Sequence, residues 1–345
     1  MSRAKIVVCR DMGEKAMGLL TASDHEVVVF PGSPDPPPRS WVLENIKGAA
    51  GICVMMADKA NQELLDAAGP SLKVVSTFSV GHDHIDVNAL QARDVRLGYT
   101  PDVLNDAVAD LTVMLALMAM RRAKEGMDIV HKSQWPQTHW SPFLLTGPSF
   151  SRPKLTLGFL GFGRISHSVL SRFLSFTLPA SHPDAPKVIY TSSHRRPEQD
   201  SIDAEYTKRF GVEVKWVEKE ELARESDVLI VLCNLNESTK GIVGKEFLSN
   251  MKETAVLVNT ARGAVVDSHA LAEALDQGKL FAAGVDVVDG EPNVKADHPL
   301  VKQPRCVVLP HVGSATWDSR EGMALLCAKN VLAGVQGEEL PAELK

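Results

Sequence analysis

The chain has 345 residues, of which 44% are apolar and 23% charged, and a formal net charge of −6. These values sit near the globular average and exclude a collagen, a coiled-coil rod or a disordered chain. The length calls for about two domains with a cleft between them, and an acidic balance without any lysine or arginine run argues against a nucleic-acid partner.

From Lys5 onward, the β-branched runs KIVVC, EVVVF, GICVMM, LKVVSTF and VRLGYT alternate with helical patterns. That rhythm predicts a parallel sheet with crossover helices. The chain enters its first strand without a secretory apolar core, and PGSPDPPPR at Pro31 to Arg39 reads as a surface loop. The most apolar stretch, Leu111 to Met120, is bounded by Asp110, Arg121 and Arg122. It covers about half a membrane span, so a buried helix over about 106–124 is expected, and no membrane association. The segment through Phe150, with Trp135, Pro136, Trp140 and Pro142, has no clean period and suggests an arm.

A second alternating series follows: TLGFLG, KVIYTS, VEVKWV, DVLIVLC, AVLVNTA, AAGVDVV and RCVVLP. It predicts a second, larger parallel sheet, so the fold class is α/β with two doubly wound parallel-sheet domains. The tail from about Ser314 to Gln336 reads as a helix able to pack back on the first domain. The expected boundaries are therefore 1–105 with 315–345 for one domain and 106–314 for the other. Cys9, Cys53, Cys233, Cys306 and Cys327 show no paired spacing. Neither a zinc site nor a disulfide framework is expected. The C-terminal ELPAELK has no peroxisomal tripeptide, and a reducing cytoplasm fits best.

TLGFLGFGRIS places Gly161 and Gly163 after a strand and before the helical HSVLSRFL. This is the context of a dinucleotide fingerprint, in which glycine lets the backbone approach a pyrophosphate at a helix N-terminus. The third position is Ser166, expected to loosen helix-to-strand packing slightly. After the next strand come Thr191, Ser192, Ser193, His194, Arg195 and Arg196. Hydroxyls and guanidiniums, without a carboxylate for the ribose hydroxyls, match a 2′-phosphate and favour NADPH over NADH; the alternative is a solvated basic loop.

Late in the chain, Arg262 in NTARG and His311 in PHVGSAT each follow an apolar strand, where open α/β sheets bind ligands. Arg262 can bond a carboxylate and a keto oxygen together. His311, before the small residues Gly313, Ser314 and Ala315, can protonate an alkoxide as a hydride arrives. Glu291 in DGEP can hold that imidazole in its charged form. The three make a keto-acid reduction site. SVGHDHID, Ser79 to Asp86, has the composition of a metal site, yet hydride transfer needs none and Asp83 and Asp86 need not converge with His82 and His84. No metal is expected; instead the Val80 and Gly81 amides are expected to meet the substrate carboxylate.

Together these motifs resemble the D-2-hydroxyacid dehydrogenase family from about residue 50 to the C-terminus. STFSVGHDHID, GYTPDVLNDA, the W-S-P at Trp140 and KETAVLVNTARGAVVD look most like its glyoxylate and hydroxypyruvate reductase branch. The resemblance implies a Rossmann cofactor domain and a smaller flavodoxin-like substrate domain. It makes Arg262, Glu291 and His311 catalytic in reducing glyoxylate or hydroxypyruvate to glycolate or D-glycerate, and puts Asp286 near the nicotinamide. It further implies cofactor contacts from Thr112, Phe162, Arg164, Ile165, Cys233, Asn234, Thr239, Thr260, Ala261 and Ser314, and a substrate contact from Met55. A homodimer is implied, with an arm at about 125–150 that carries Trp140 into the neighbouring subunit's active site. Departures are Ser166 and the extra SHPDAPK at Ser181 to Lys187. An NAD(P)-sensing corepressor on the same scaffold, or a dehydrogenase of another specificity, is the alternative function.

Overall fold

The structure, a computed structural model, describes residues 3–345 and divides into two compact units. One holds the residues up to Leu104 together with Ser314–Lys345; the other is Asn105–Gly313.

The first unit contains β1 (Lys5–Val8), β2 (Glu26–Val29), β3 (Gly51–Val54), β4 (Val74–Thr77) and β5 (Arg96–Gly98). All pairings are parallel and the order is β2-β1-β3-β4-β5, the flavodoxin-like arrangement. β3 and β4 are buried along their whole length, which explains why they read as unbroken apolar or small residues: both faces are covered. Part of that cover comes from the end of the chain. The helix Trp317–Gln336 is capped by Thr316 and ends at the left-handed Gly337. Its Val331 and Val335 join Ile6, Val8 and Val74 in one core cluster. Asn330, fully buried, donates to the Tyr99 carbonyl and accepts from the Ala342 amide, both at 2.9 Å.

The second unit contains β6 (Thr156–Leu160), β7 (Lys187–Thr191), β8 (Val214–Trp216), β9 (Val228–Val231), β10 (Val256–Asn259), β11 (Ala282–Val285) and β12 (Cys306–Val308). Its order, β12-β11-β10-β9-β6-β7-β8, is the doubly wound dinucleotide-binding order extended by one strand, with β6 and β9 flanking the point where the winding reverses.

The expected single helix over 106–124 is two, Asn105–Met120 and Ala123–His131, separated by Arg122 at φ 51°. The apolar run stops at Met120, and Arg122 turns away to bond both Glu125 carboxylate oxygens at 2.7 Å. The segment that suggested an arm therefore begins as a helix, then passes through the short turn Trp135–Gln137. Trp140 and Phe143 on it are 82% and 83% exposed. The extra stretch before β7 is pinned to the unit by the Lys154 amide, which donates to the Asp184 carbonyl. Among the described residues no helix is long and apolar enough to cross a membrane.

Candidate active site

β6 ends into the turn Gly161–Phe162–Gly163, and the helix Arg164–Phe173 begins at once. Gly161 holds φ 89°, and a Cβ there would lie 2.7 Å from the Cys233 amide nitrogen just past β9. Only glycine allows that approach. Gly163 caps the helix with no side-chain acceptor on its amides, and a Cβ built on it meets nothing within 4 Å. A helix N-terminus without a side-chain cap, at the reversal point of the sheet, suits a pyrophosphate. The Phe162 ring is turned the other way: it stacks on Tyr190 at 4.4 Å and meets Phe159, Tyr206 and His167 edge-on. Phe162 thus offers the turn its backbone, while its ring anchors it, and Ile165 packs beside that cluster.

Ser166 behaves otherwise than expected. It is buried, and its hydroxyl donates to the Gly161 carbonyl at 2.8 Å, so it ties the helix to the turn instead of loosening it. A hydroxyl replaces the close contact of glycine with a bond.

Past β7, residues 192–196 are exposed. Ser192 accepts from Trp216 Nε1 at 3.2 Å, Ser193 lies 3.1 Å from His194 Nδ1, and Arg195 donates to Asp200 at 2.7 Å. A carboxylate therefore does stand beside this loop, brought back by the next helix from beyond the strand end; both partners are more than half exposed. A second acid of that helix, Asp203, is occupied by Tyr190, Gln199 and the Trp216 amide. Past β9, Thr239 accepts from the Asn236 amide and donates to the Asn234 carbonyl, which folds that loop back on itself. Thr112 and Thr260 join by their hydroxyls at 2.9 Å.

β10, β11 and β12 deliver the catalytic candidates. Asn259, at the end of β10, donates from Nδ2 to the Arg262 carbonyl and accepts from the Ala261 amide, both at 3.0 Å. Arg262 Nη1 donates to the Ala261 carbonyl at 2.8 Å. Gly263 then passes so close to the next loop that a Cβ would fall 2.3 Å from the Val288 carbonyl oxygen. From that loop Glu291 accepts from the Val288 amide at 3.3 Å through Oε2, and its Oε1 lies 2.7 Å from His311 Nδ1. A carboxylate accepts, so Nδ1 carries the proton and Nε2 is turned away from Glu291. His311 sits at φ 56°, a left-handed conformation costing a non-glycine residue on the order of 1–3 kcal/mol. Its amide donates to the Asp286 carbonyl at 2.8 Å. The Asp286 side chain is 2% exposed and accepts the Val312 and Gly313 amides. Burial pushes its carboxyl above the ordinary range, partly offset by those amides. Ser314 lies just beyond the unit boundary.

In the first unit, Val80 and Gly81 follow β4, and Met55 follows β3. The residue sequence reasoning missed here is Asp58. It is buried, accepts from the Met55 amide at 2.8 Å, and pairs with Arg10 at 3.0 Å. The only signal was an aspartate three residues after Met55, too common in turns to be read as a site. The SVGHDHID residues divide their duties: Asp86 caps the helix Val87–Gln91, and His84 bonds Thr77.

The family model for the D-isomer specific 2-hydroxyacid dehydrogenase NAD binding domain matches residues 113–313. The chain is 40% identical over 342 residues to the glyoxylate reductase/hydroxypyruvate reductase of Homo sapiens, covering 99% of this chain and 98% of that one. Among solved structures, a glyoxylate reductase from Paecilomyes thermophila superposes with a TM-score of 0.83 at 28% identity, covering 100% of this chain and 99% of the other. An NADPH-dependent glyoxylate/hydroxypyruvate reductase from Sinorhizobium meliloti, in complex with NADP and malonate, gives 0.81 at 28%, covering 99% and 97%.

Proposed function

Since the chain belongs to the D-isomer-specific 2-hydroxyacid dehydrogenase family, we propose that it reduces small 2-keto acids, glyoxylate and hydroxypyruvate, to glycolate and D-glycerate, with NADPH as the preferred donor. The observation that carries this reading is the 2.7 Å pair of His311 and Glu291, presented by loops that follow neighbouring strands of the dinucleotide-binding unit.

Each residue has a part. When bound, the reduced nicotinamide supplies the hydride. Glu291 holds Nδ1 of His311, so Nε2 carries the proton that the keto oxygen takes up as it becomes a hydroxyl. Arg262 grips the keto oxygen and carboxylate of the substrate, and its planar fork suits both. The Val80 and Gly81 amides receive the carboxylate, with Met55 as an apolar neighbour. Asp286 positions His311. The turn and helix N-terminus at Phe162–Ile165 hold the pyrophosphate. Arg195, Arg196, Ser192 and Ser193 favour a 2′-phosphate, and the relative from Sinorhizobium meliloti bound to NADP supports that preference.

The segment Met127 to Phe143 exposes Met127, Val130, Trp135, Trp140 and Phe143. So much exposed apolar area on one segment supports a homodimer arm, in which Trp140 contributes to substrate choice. All five cysteines are free thiols, which supports a reducing, cytoplasmic setting.

The test is loss of reduced-nicotinamide absorbance when glyoxylate or hydroxypyruvate is added to purified protein with NADPH, and again with NADH. Turnover with both acids, faster with NADPH at subsaturating cofactor, is expected. Absence of turnover with either acid would reject the reading. Trp140→Ala should reorder the two acids by kcat/KM.

A further inference from the structure

A chain of buried hydroxyls runs beneath the Val80–Gly81 loop, and its direction can be deduced. Ser79 Oγ lies 2.7 Å from the Gly81 carbonyl oxygen. That oxygen can only accept, so the one hydroxyl hydrogen of Ser79 is committed to it. Thr77 Oγ1 lies 2.7 Å from Ser79 Oγ. With the Ser79 hydrogen spent, Thr77 donates and Ser79 accepts. Thr77 Oγ1 is also 3.0 Å from His84 Nε2, and its own hydrogen is now spent. Thr77 must therefore accept there, and Nε2 of His84 must carry a hydrogen.

We propose that His84 is a positioning residue for substrate binding: it sends an oriented hydrogen-bond relay through Thr77 and Ser79 to the Gly81 carbonyl and so holds the loop that presents the Val80 and Gly81 amides. Its two hydroxyls are sealed from water, because Thr77 is fully buried and Ser79 is 4% exposed, and buried hydroxyls bonded in series strengthen one another while tolerating no missing member. Three of its members are tied to the sheet and its neighbours. Thr77 closes β4, the Ser79 carbonyl accepts from the Thr100 amide at 2.9 Å, and the His84 carbonyl accepts from the Ala60 amide at 3.1 Å. Rotation of the Gly81–His82 peptide, which would displace Gly81 itself, would cost the terminal bond and leave Ser79 without an acceptor. This rests on the reading above that the Val80 and Gly81 amides receive the substrate carboxylate.

Two measurements on the full chain test it. Imidazole nitrogen NMR of histidine-labelled protein should show the His84 hydrogen on Nε2. Thr77→Val and His84→Leu, which break the relay, should raise KM for glyoxylate about tenfold, while kcat and NADPH affinity change less than about twofold. Thr77→Ser and His84→Gln keep a hydroxyl and an N–H donor and should recover most of the loss. A neutral His84 with its hydrogen on Nδ1 alone overturns the relay. Conservative variants as damaging as the disruptive ones overturn it too. Hydrogen on Nε2 together with unchanged KM in both disruptive variants instead rejects Val80 and Gly81 as the carboxylate receptor, so the two failures are told apart.

Discussion

Asp286 and Gly313 are locked together: the Gly313 amide donates to one carboxylate oxygen at 2.7 Å, while the adjacent Val312 amide takes the other at 2.8 Å. With the Asp286 carbonyl also holding the His311 amide, one residue fixes the backbone on both sides of the strained histidine. Asp286→Asn keeps the shape but presents an amide NH2 to a backbone N–H. It should cost about 1–3 kcal/mol of stability and at least about tenfold in turnover, read from denaturant unfolding and kcat. Wild-type values for both would show that other contacts hold the loop.

His311→Asn should lower turnover by about 10²–10⁴, the usual contribution of a general acid, with NADPH affinity within about twofold of wild type by fluorescence titration. Glu291→Gln keeps an acceptor for Nδ1 but removes its charge, so a smaller loss is expected. If Glu291→Gln proves as inactive as His311→Asn, the charge of Glu291 matters more than its hydrogen bond.

Arg195 is held by Asp200, so the two sides of the basic loop make opposite forecasts. Arg195→Ala with Arg196→Ala should weaken NADPH binding about tenfold or more and leave NADH nearly unchanged. Asp200→Asn frees Arg195 and should tighten NADPH binding by about twofold to threefold. Isothermal titration of both cofactors against both variants decides it, and equal affinities in wild type would remove the 2′-phosphate assignment.

His167 lies in the aromatic cluster under the glycine turn, 4.9 Å from Phe162 and 5.0 Å from Tyr206, with Arg209 3.3 Å from its Nδ1. Burial first, then the Arg209 charge, lowers its pKa from 6.5 to about 4. The unfolded chain therefore binds this proton at higher pH than the folded one. Its stabilising effect is complete above the unfolded value of about 6.5 and is lost as pH falls toward 4. His167→Phe should flatten the fall between these limits. Unfolding free energies of both proteins at several pH values check the sign, and parallel curves would contradict it.

The two parallel sheets were legible because β3, β4, β6 and β9 through β11 are buried on both faces, and such strands write themselves as short unbroken runs. The fingerprint was legible because Gly161 and Gly163 sit between a strand and a helix. What stayed hidden are the side chains that reach across sequence. Asp200 returns to Arg195 only because a helix starts at Gln199, and Asp58 finds Arg10 from 48 residues away. Ser166 is not legible from a fingerprint, which compares sizes, because the site uses its hydroxyl. The break at Arg122 escaped because Ala123–His131 continues a helical pattern while its face changes from core to surface.

The helix Trp317–Gln336 has a bearing on how the chain is made. Strands β1, β3 and β4 are synthesised well before the residues that cover them, Val331 and Val335. The unit Asn105–Gly313 can be complete while that apolar face still waits, so the second unit is able to fold during synthesis before the first is closed. A ribosome stalled short of Val331 leaves a nascent chain with one finished unit and an uncovered sheet, a form that chaperones and proteases would meet before any substrate does.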